Sequence, residues 1–113
     1  MAVPDKYLAG TSTGQPFETG NSLTVAVTAE ALDVATGYEG DTVTYTATVK
    51  EGENPLPATF VADLEINSTK VVTDQVFDAG HYDQATKLLT LTFTVPADVG
   101  AFSVKLKWAE QII

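Results

Sequence analysis

From Asn21 onward the chain alternates apolar and polar residues with a period of two. Leu23, Val25, Val27 and Ala29 interleave with Thr24, Ala26, Thr28 and Glu30. The clearest stretch runs from Asp41 to Lys50: Val43, Tyr45, Ala47 and Val49 fall on one side, Thr42, Thr44, Thr46 and Thr48 on the other. Successive side chains of a strand point to opposite faces, and β-branched residues fit a pleated surface. The stretch therefore predicts a half-buried strand with a threonine-coated solvent face. Glu51-Gly-Glu-Asn-Pro-Leu-Pro follows as a loop whose two prolines lack the N–H that a ladder needs. Phe60, Ala62, Leu64 and Ile66 then alternate with Val61, Asp63 and Glu65. A turn at Asn67-Ser68 leads into a short, irregular stretch over 71–77, and 78–86 reads as loop. Leu89, Leu91, Phe93 and Val95 alternate with Leu88, Thr90, Thr92 and Thr94 as far as Pro96. After a turn over 97–100, Phe102, Val104, Leu106 and Trp108 alternate with Ser103, Lys105 and Lys107.

No window repeats apolar residues at i, i+3, i+4 and i+7 over three turns. Residues 29–39 have room for one short helical turn, stopped by Gly37 and Gly40. The pattern predicts an all-β domain of six or seven antiparallel strands packed as a sandwich, with an open barrel as the competing architecture. Residues 1–21 differ from the rest. Gly10-Thr-Ser-Thr-Gly-Gln-Pro and Glu18-Thr-Gly-Asn-Ser are turn and linker chemistry, interrupted by Tyr7 and Phe17. The expected organisation is an extended N-terminal arm over 1–21 ahead of a sandwich over 22–113. An arm that docks needs apolar anchors, and Tyr7, Leu8 and Phe17 supply them; a loose terminus is the alternative. At the other end, Ile112-Ile113 either tucks back on the domain or buries in a neighbour. Trp108 continues the apolar alternation of its strand, so core packing competes with an anchoring role.

Composition narrows the function. The 113 residues carry a net charge of −9, with six lysines, no arginine, no cysteine and one histidine. A chain of this length is one domain by default, and buries roughly two thirds of its unfolded surface. Without cysteine there is no disulfide framework, zinc-thiolate site or thiol nucleophile. So acidic a chain with so few cations does not neutralise phosphates, which excludes nucleic acid as the expected partner. No run approaches the ~18 apolar residues of a membrane span. No charged n-region leads into an apolar h-region, so the expectation is either a protein that reaches the outside by another route, such as a particle released by lysis, or a piece of a longer surface protein. Five lysines, Lys50, Lys70, Lys87, Lys105 and Lys107, fall within or at the ends of predicted strands, where a hydrated charge discourages edge-to-edge stacking.

Candidate chemistry is thin. A Ser-His-Asp site would have to use His81, in the turn-rich Asp78-Ala-Gly-His-Tyr-Asp-Gln, and no Gly-x-Ser-x-Gly elbow accompanies it. Asp63 and Glu65 share one strand face about 7 Å apart, within reach of glycosidase spacing. Lacking a cleft and aromatic platforms, they read as a solvated acidic face. Asp74, Asp78 and Asp83 offer a calcium-loop candidate whose spacing departs from the twelve-residue pattern. Asn67-Ser68-Thr69 matches the N-glycosylation acceptor, and no nucleotide-binding glycine loop is present. No enzyme activity, cofactor or metal is expected.

Gly40-Asp-Thr-Val-Thr-Tyr-Thr-Ala-Thr-Val-Lys resembles the second strand of immunoglobulin-like domains in bacterial surface proteins. Leu89-Thr-Leu-Thr-Phe-Thr-Val-Pro-Ala-Asp-Val-Gly-Ala-Phe-Ser-Val-Lys-Leu resembles their last two strands. The resemblance covers about residues 22–108, without the cysteine pair or the mid-domain tryptophan of antibody domains. Domains of this kind also decorate tailed-phage particles. The resemblance thus implies a single antiparallel immunoglobulin-like β-sandwich of about seven strands with a structural or binding role. The expected function is a non-enzymatic virion-surface protein that decorates or stabilises a capsid. It would dock on capsid subunits, or on filament subunits or copies of itself, through Tyr7, Leu8, Phe17, Trp108, Ile112 and Ile113. The alternatives are an adhesive or spacer module of a prokaryotic surface protein or filament, sharing a strand or arm by β-augmentation, and a carbohydrate-binding module built on Tyr38, Tyr82 and Trp108.

Overall fold

A computed structural model describes residues 4–16 and 22–112. Among them are seven strands and no helix: β1 (Val25–Leu32), β2 (Thr42–Glu51), β3 (Val61–Ile66), β4 (Thr69–Val76), β5 (Tyr82–Asp83), β6 (Leu88–Thr94) and β7 (Val104–Lys107). They form two sheets, β1-β2-β6-β5 and β4-β3-β7, with every neighbouring pair antiparallel. Two separate sheets make the architecture a sandwich.

The alternation explains the layers. Val43, Tyr45, Ala47 and Val49 of β2 and Leu89, Leu91 and Phe93 of β6 face inward, where they meet Ala62, Leu64 and Ile66 of β3 and Leu106 of β7. Each buried Val, Leu, Ile or Phe side chain contributes about 1.5–3 kcal/mol by leaving water. On the outer face of the larger sheet, β2 and β6 place threonine opposite threonine at Thr42–Thr94, Thr44–Thr92 and Thr46–Thr90. The outer face of the smaller sheet is charged: Lys70 Nζ lies 3.0 Å from Asp63 Oδ2, and Lys107 Nζ lies 3.5 Å from Glu65 Oε2.

Three details depart from the alternation. The stretch with room for a helical turn is strand as far as Leu32. Between the pairs Thr28–Thr48 and Ala31–Thr46, β1 carries one residue too many, and Ala29 takes φ +53° to accommodate it. This bulge switches the inward parity of β1 from odd positions (Val25, Val27) to even ones. Glu30 thereby turns toward β2, where its carboxylate accepts a 2.6 Å hydrogen bond from the Tyr45 hydroxyl. Next, β4 is a full eight-residue strand with two register shifts against β3, one of them at Asp74 (φ +52°), whose N–H donates to Asp63 Oδ1 at 2.7 Å. Finally, the segment over 78–86 contains β5, which pairs with Leu88 and Leu89 and buries Tyr82.

β4 approaches β6 across the sandwich, so β7, at the other end of its sheet, lies toward the β1 side. No Cα of β1 comes within 8 Å of β7. Among the described residues no shared ladder closes that side of the sandwich.

Candidate functional site

The catalytic candidates resolve into local structural pairs. His81 Nδ1 sits 2.6 Å from Asp78 Oδ1, and this contact holds the Asp78 carboxyl below the usual carboxylate range. The pair lies in one exposed turn, closed by hydrogen bonds from the His81 and Tyr82 N–H groups to the Asp78 carbonyl. Asp63 is held below its ordinary range first by the Asp74 N–H and then by Lys70. Glu65 faces Lys107. Both carboxylates of the glycosidase-like pair thus have a lysine of their own. The three aspartates of the calcium candidate also part company: Asp74 joins Asp63, Asp78 joins His81, and Asp83 Oδ1 accepts the Ala85 and Thr86 N–H groups. Among the described residues no group of three metal-ligating side chains comes together.

The aromatic set for a sugar platform loses a member. Tyr82 is 1% exposed; its hydroxyl accepts the Leu56 N–H and donates to the Val49 carbonyl. Tyr38 and Trp108 remain exposed in part or whole. Asn67 of the glycosylation pattern is exposed at the β3–β4 turn, where both Asn67 (φ +51°) and Ser68 (φ +67°) are left-handed, as a type I′ hairpin demands.

The apolar anchors stand apart from the core. Residues 4–16 form no strand and are exposed throughout, with Tyr7 92% and Leu8 80% exposed. With this arm the molecule measures 94 Å along its longest axis and 34 Å along the next. Phe17 and Ile113 lie outside the described residues. Trp108 is 36% exposed and leans on the rim of the core, its ring centroid 6.4 Å from that of Phe60. Ile112 is fully exposed.

The intervening Gln111 is a contact the alternation does not signal. Its side-chain oxygen accepts the Val61 N–H at 2.9 Å, and its side-chain nitrogen donates to the Val61 carbonyl at 2.7 Å. One amide side chain thus imitates a ladder partner for β3 and fixes where the C-terminal segment leaves the sandwich.

The remaining surface of interest is the edge of β7, which no strand among the described residues pairs. Val25 and Val27 of β1 and Val99, Phe102 and Val104 around β7 are only partly buried, although each packs on the core. On the outer face of the same edge, a shallow groove of about 490 Å³ is lined by Glu65, Asn67, Phe102, Ser103, Lys105 and Lys107. Chemically these surfaces can bind by apolar burial and by offering backbone hydrogen bonds. No known protein family, curated protein or solved structure matches the chain.

Proposed function

We propose that this chain is a non-enzymatic structural protein that docks into an ordered protein assembly through its terminal segments, and that the assembly is the surface of a phage particle, where it decorates or stabilises the capsid. The observation that carries the reading is the arm: thirteen described residues, 4–16, project Tyr7 and Leu8 into solvent. Docking buries those side chains at about 25 cal/mol per Å², set against the entropy of ordering the arm. A repeated lattice multiplies the contact through avidity. Meanwhile the acidic, threonine-faced sandwich stays in solvent and repels DNA and anionic surfaces.

The test is incorporation into particles. The full chain, added to purified shells from which it has been stripped, is expected to sediment with them. A chain lacking residues 1–16 is expected to stay in the supernatant while keeping the sheet signature of the full chain in circular dichroism. Equal binding by both overturns the reading. The filament or surface-module alternative is favoured by the unpaired β7 edge, which suits strand sharing between subunits; it predicts polymers of the pure protein in the absence of any shell.

A further inference from the structure

We propose that the free edge of β7 accepts residues 5–9 of the arm of a second copy as an added strand. The inference rests on the strand-sharing alternative given above and names the two segments that pair.

Three observations converge on this edge. An unpaired edge presents a row of N–H and C=O groups that another chain can pair, and among the described residues no strand lies beyond β7 in its sheet. Phe102 and Val104, which pack on the core beside this edge, are only partly buried. The outer face of the same edge carries the 490 Å³ groove beside Phe102, Ser103, Lys105 and Lys107. A strand laid here meets an apolar opening on its inner face and a lysine-lined groove on its outer face.

The arm supplies a segment with that two-sided character. Asp5-Lys6-Tyr7-Leu8-Ala9 precedes Gly10, and β7 is itself four residues long. In an extended segment Tyr7 and Leu8 point to opposite faces. With Leu8 turned inward over Phe102 and Val104, Tyr7 enters the outer groove. Asp5 then shares the face of Tyr7 and meets Lys105 or Lys107. Lys6 shares the face of Leu8 and carries its ammonium to solvent along its four-carbon stem. The opposite facing would set Lys6 against the two lysines. Charge therefore selects one orientation.

The occupant is a second copy because residues 4–16 are exposed throughout and so lie on no surface of their own sandwich. The contact is head-to-tail, so it propagates into rings or rows. A five-residue strand buries much less than the ~1,200 Å² of a stable isolated interface. A single contact is therefore weak, and repetition in the assembly gives it strength.

Covalent trapping suits a weak contact, and the chain has no cysteine of its own to interfere. Full chains carrying Tyr7→Cys are mixed under mild oxidation with full chains carrying Ser103→Cys, and in parallel with chains carrying Thr73→Cys, an exposed position on the far edge strand. Cross-strand neighbours lie within disulfide range, so the 7–103 heterodimer is expected to exceed the 7–73 heterodimer by at least about tenfold. Equal yields, or no heterodimer at any concentration, overturn the proposal. A chain carrying both Tyr7→Cys and Ser103→Cys is then diluted stepwise. Closure on itself at a concentration-independent rate assigns the edge to the chain's own arm and also overturns it. Self-association of the pure protein is scored separately by sedimentation. Loss of the 7–103 bridge with retained polymers defeats this inference alone, whereas a protein that stays monomeric at every concentration defeats the strand-sharing reading beneath it.

Discussion

Two buried tyrosines end in different company. Tyr82 has its hydroxyl between the Leu56 N–H and the Val49 carbonyl, far from water. Tyr82→Phe orphans both groups at once and is expected to cost about 2–4 kcal/mol in urea unfolding. Tyr45 donates to Glu30, a carboxylate on a half-exposed edge that water can serve in its place. Tyr45→Phe is expected to cost only about 1–2 kcal/mol. Burial raises the pKa of both phenols, with Glu30 adding to the rise at Tyr45. A raised phenol contributes stability that is complete below its unfolded value and is lost as pH climbs past about 10. Asp63 and Asp78 are lowered, so their contribution is complete above the unfolded value of about 4 and fades as pH falls through it. Melting temperature against pH should therefore fall on both sides of a plateau, and Asp63→Asn should soften the acid side only. The alternation placed Tyr45 in the core, yet its partner was hidden because the bulge at Ala29 moves Glu30 out of its apparent phase. Tyr82 was hidden more fully: a two-residue strand leaves no period to read.

At the scale of elements, left-handed residues mark where the strands were forced off pattern. Ser68 occupies the second left-handed position of the β3–β4 hairpin, a place where a Cβ is strained and glycine is not. Ser68→Gly is expected to stabilise the chain by about 0.5–1 kcal/mol, seen as a higher urea midpoint with an unchanged slope. Asp74 is left-handed inside β4, but there the Asp63 carboxylate holds its N–H. Asp63→Ala therefore removes a support for a bulge as well as an ion pair. It should speed amide exchange at residues 72–76 while leaving β2 and β6 unchanged. Strands β2, β3 and β6 were legible because both faces alternate without interruption. β4 and the end of β1 were not, since each bulge adds one residue and reverses the facing beyond it, once in β1 and twice in β4.

For the molecule as a whole, the candidate surface was half visible from sequence. Tyr7, Leu8 and Ile112 were legible as apolar residues in polar surroundings, and they are exposed. The open edge of β7 was not, because strand order depends on which strands pair across long loops and leaves no local mark. Nor was the grip of Gln111 on Val61, fifty residues away in sequence. Gln111→Ala is expected to leave Val61 without that partner and to cost about 1–2 kcal/mol, with greater tryptophan solvent exposure as Trp108 loosens from Phe60.

The length of the arm also has a kinetic consequence. Residues 4–16 carry one aspartate and one lysine, hence no net charge, while the rest of the chain holds the full −9. Thirteen extended residues reach up to ~45 Å, several times the ~8 Å over which charges act at physiological salt. Two like-charged bodies thus remain electrostatically blind to each other while an uncharged probe makes the first encounter. In such fly-casting the arm sets the capture radius, and the repulsion between bodies arrives only after the anchors are seated. Shortening the arm between Gly10 and Pro16 without touching Tyr7 or Leu8 should then slow association, increasingly so as salt is lowered, and a stopped-flow trace would read it directly.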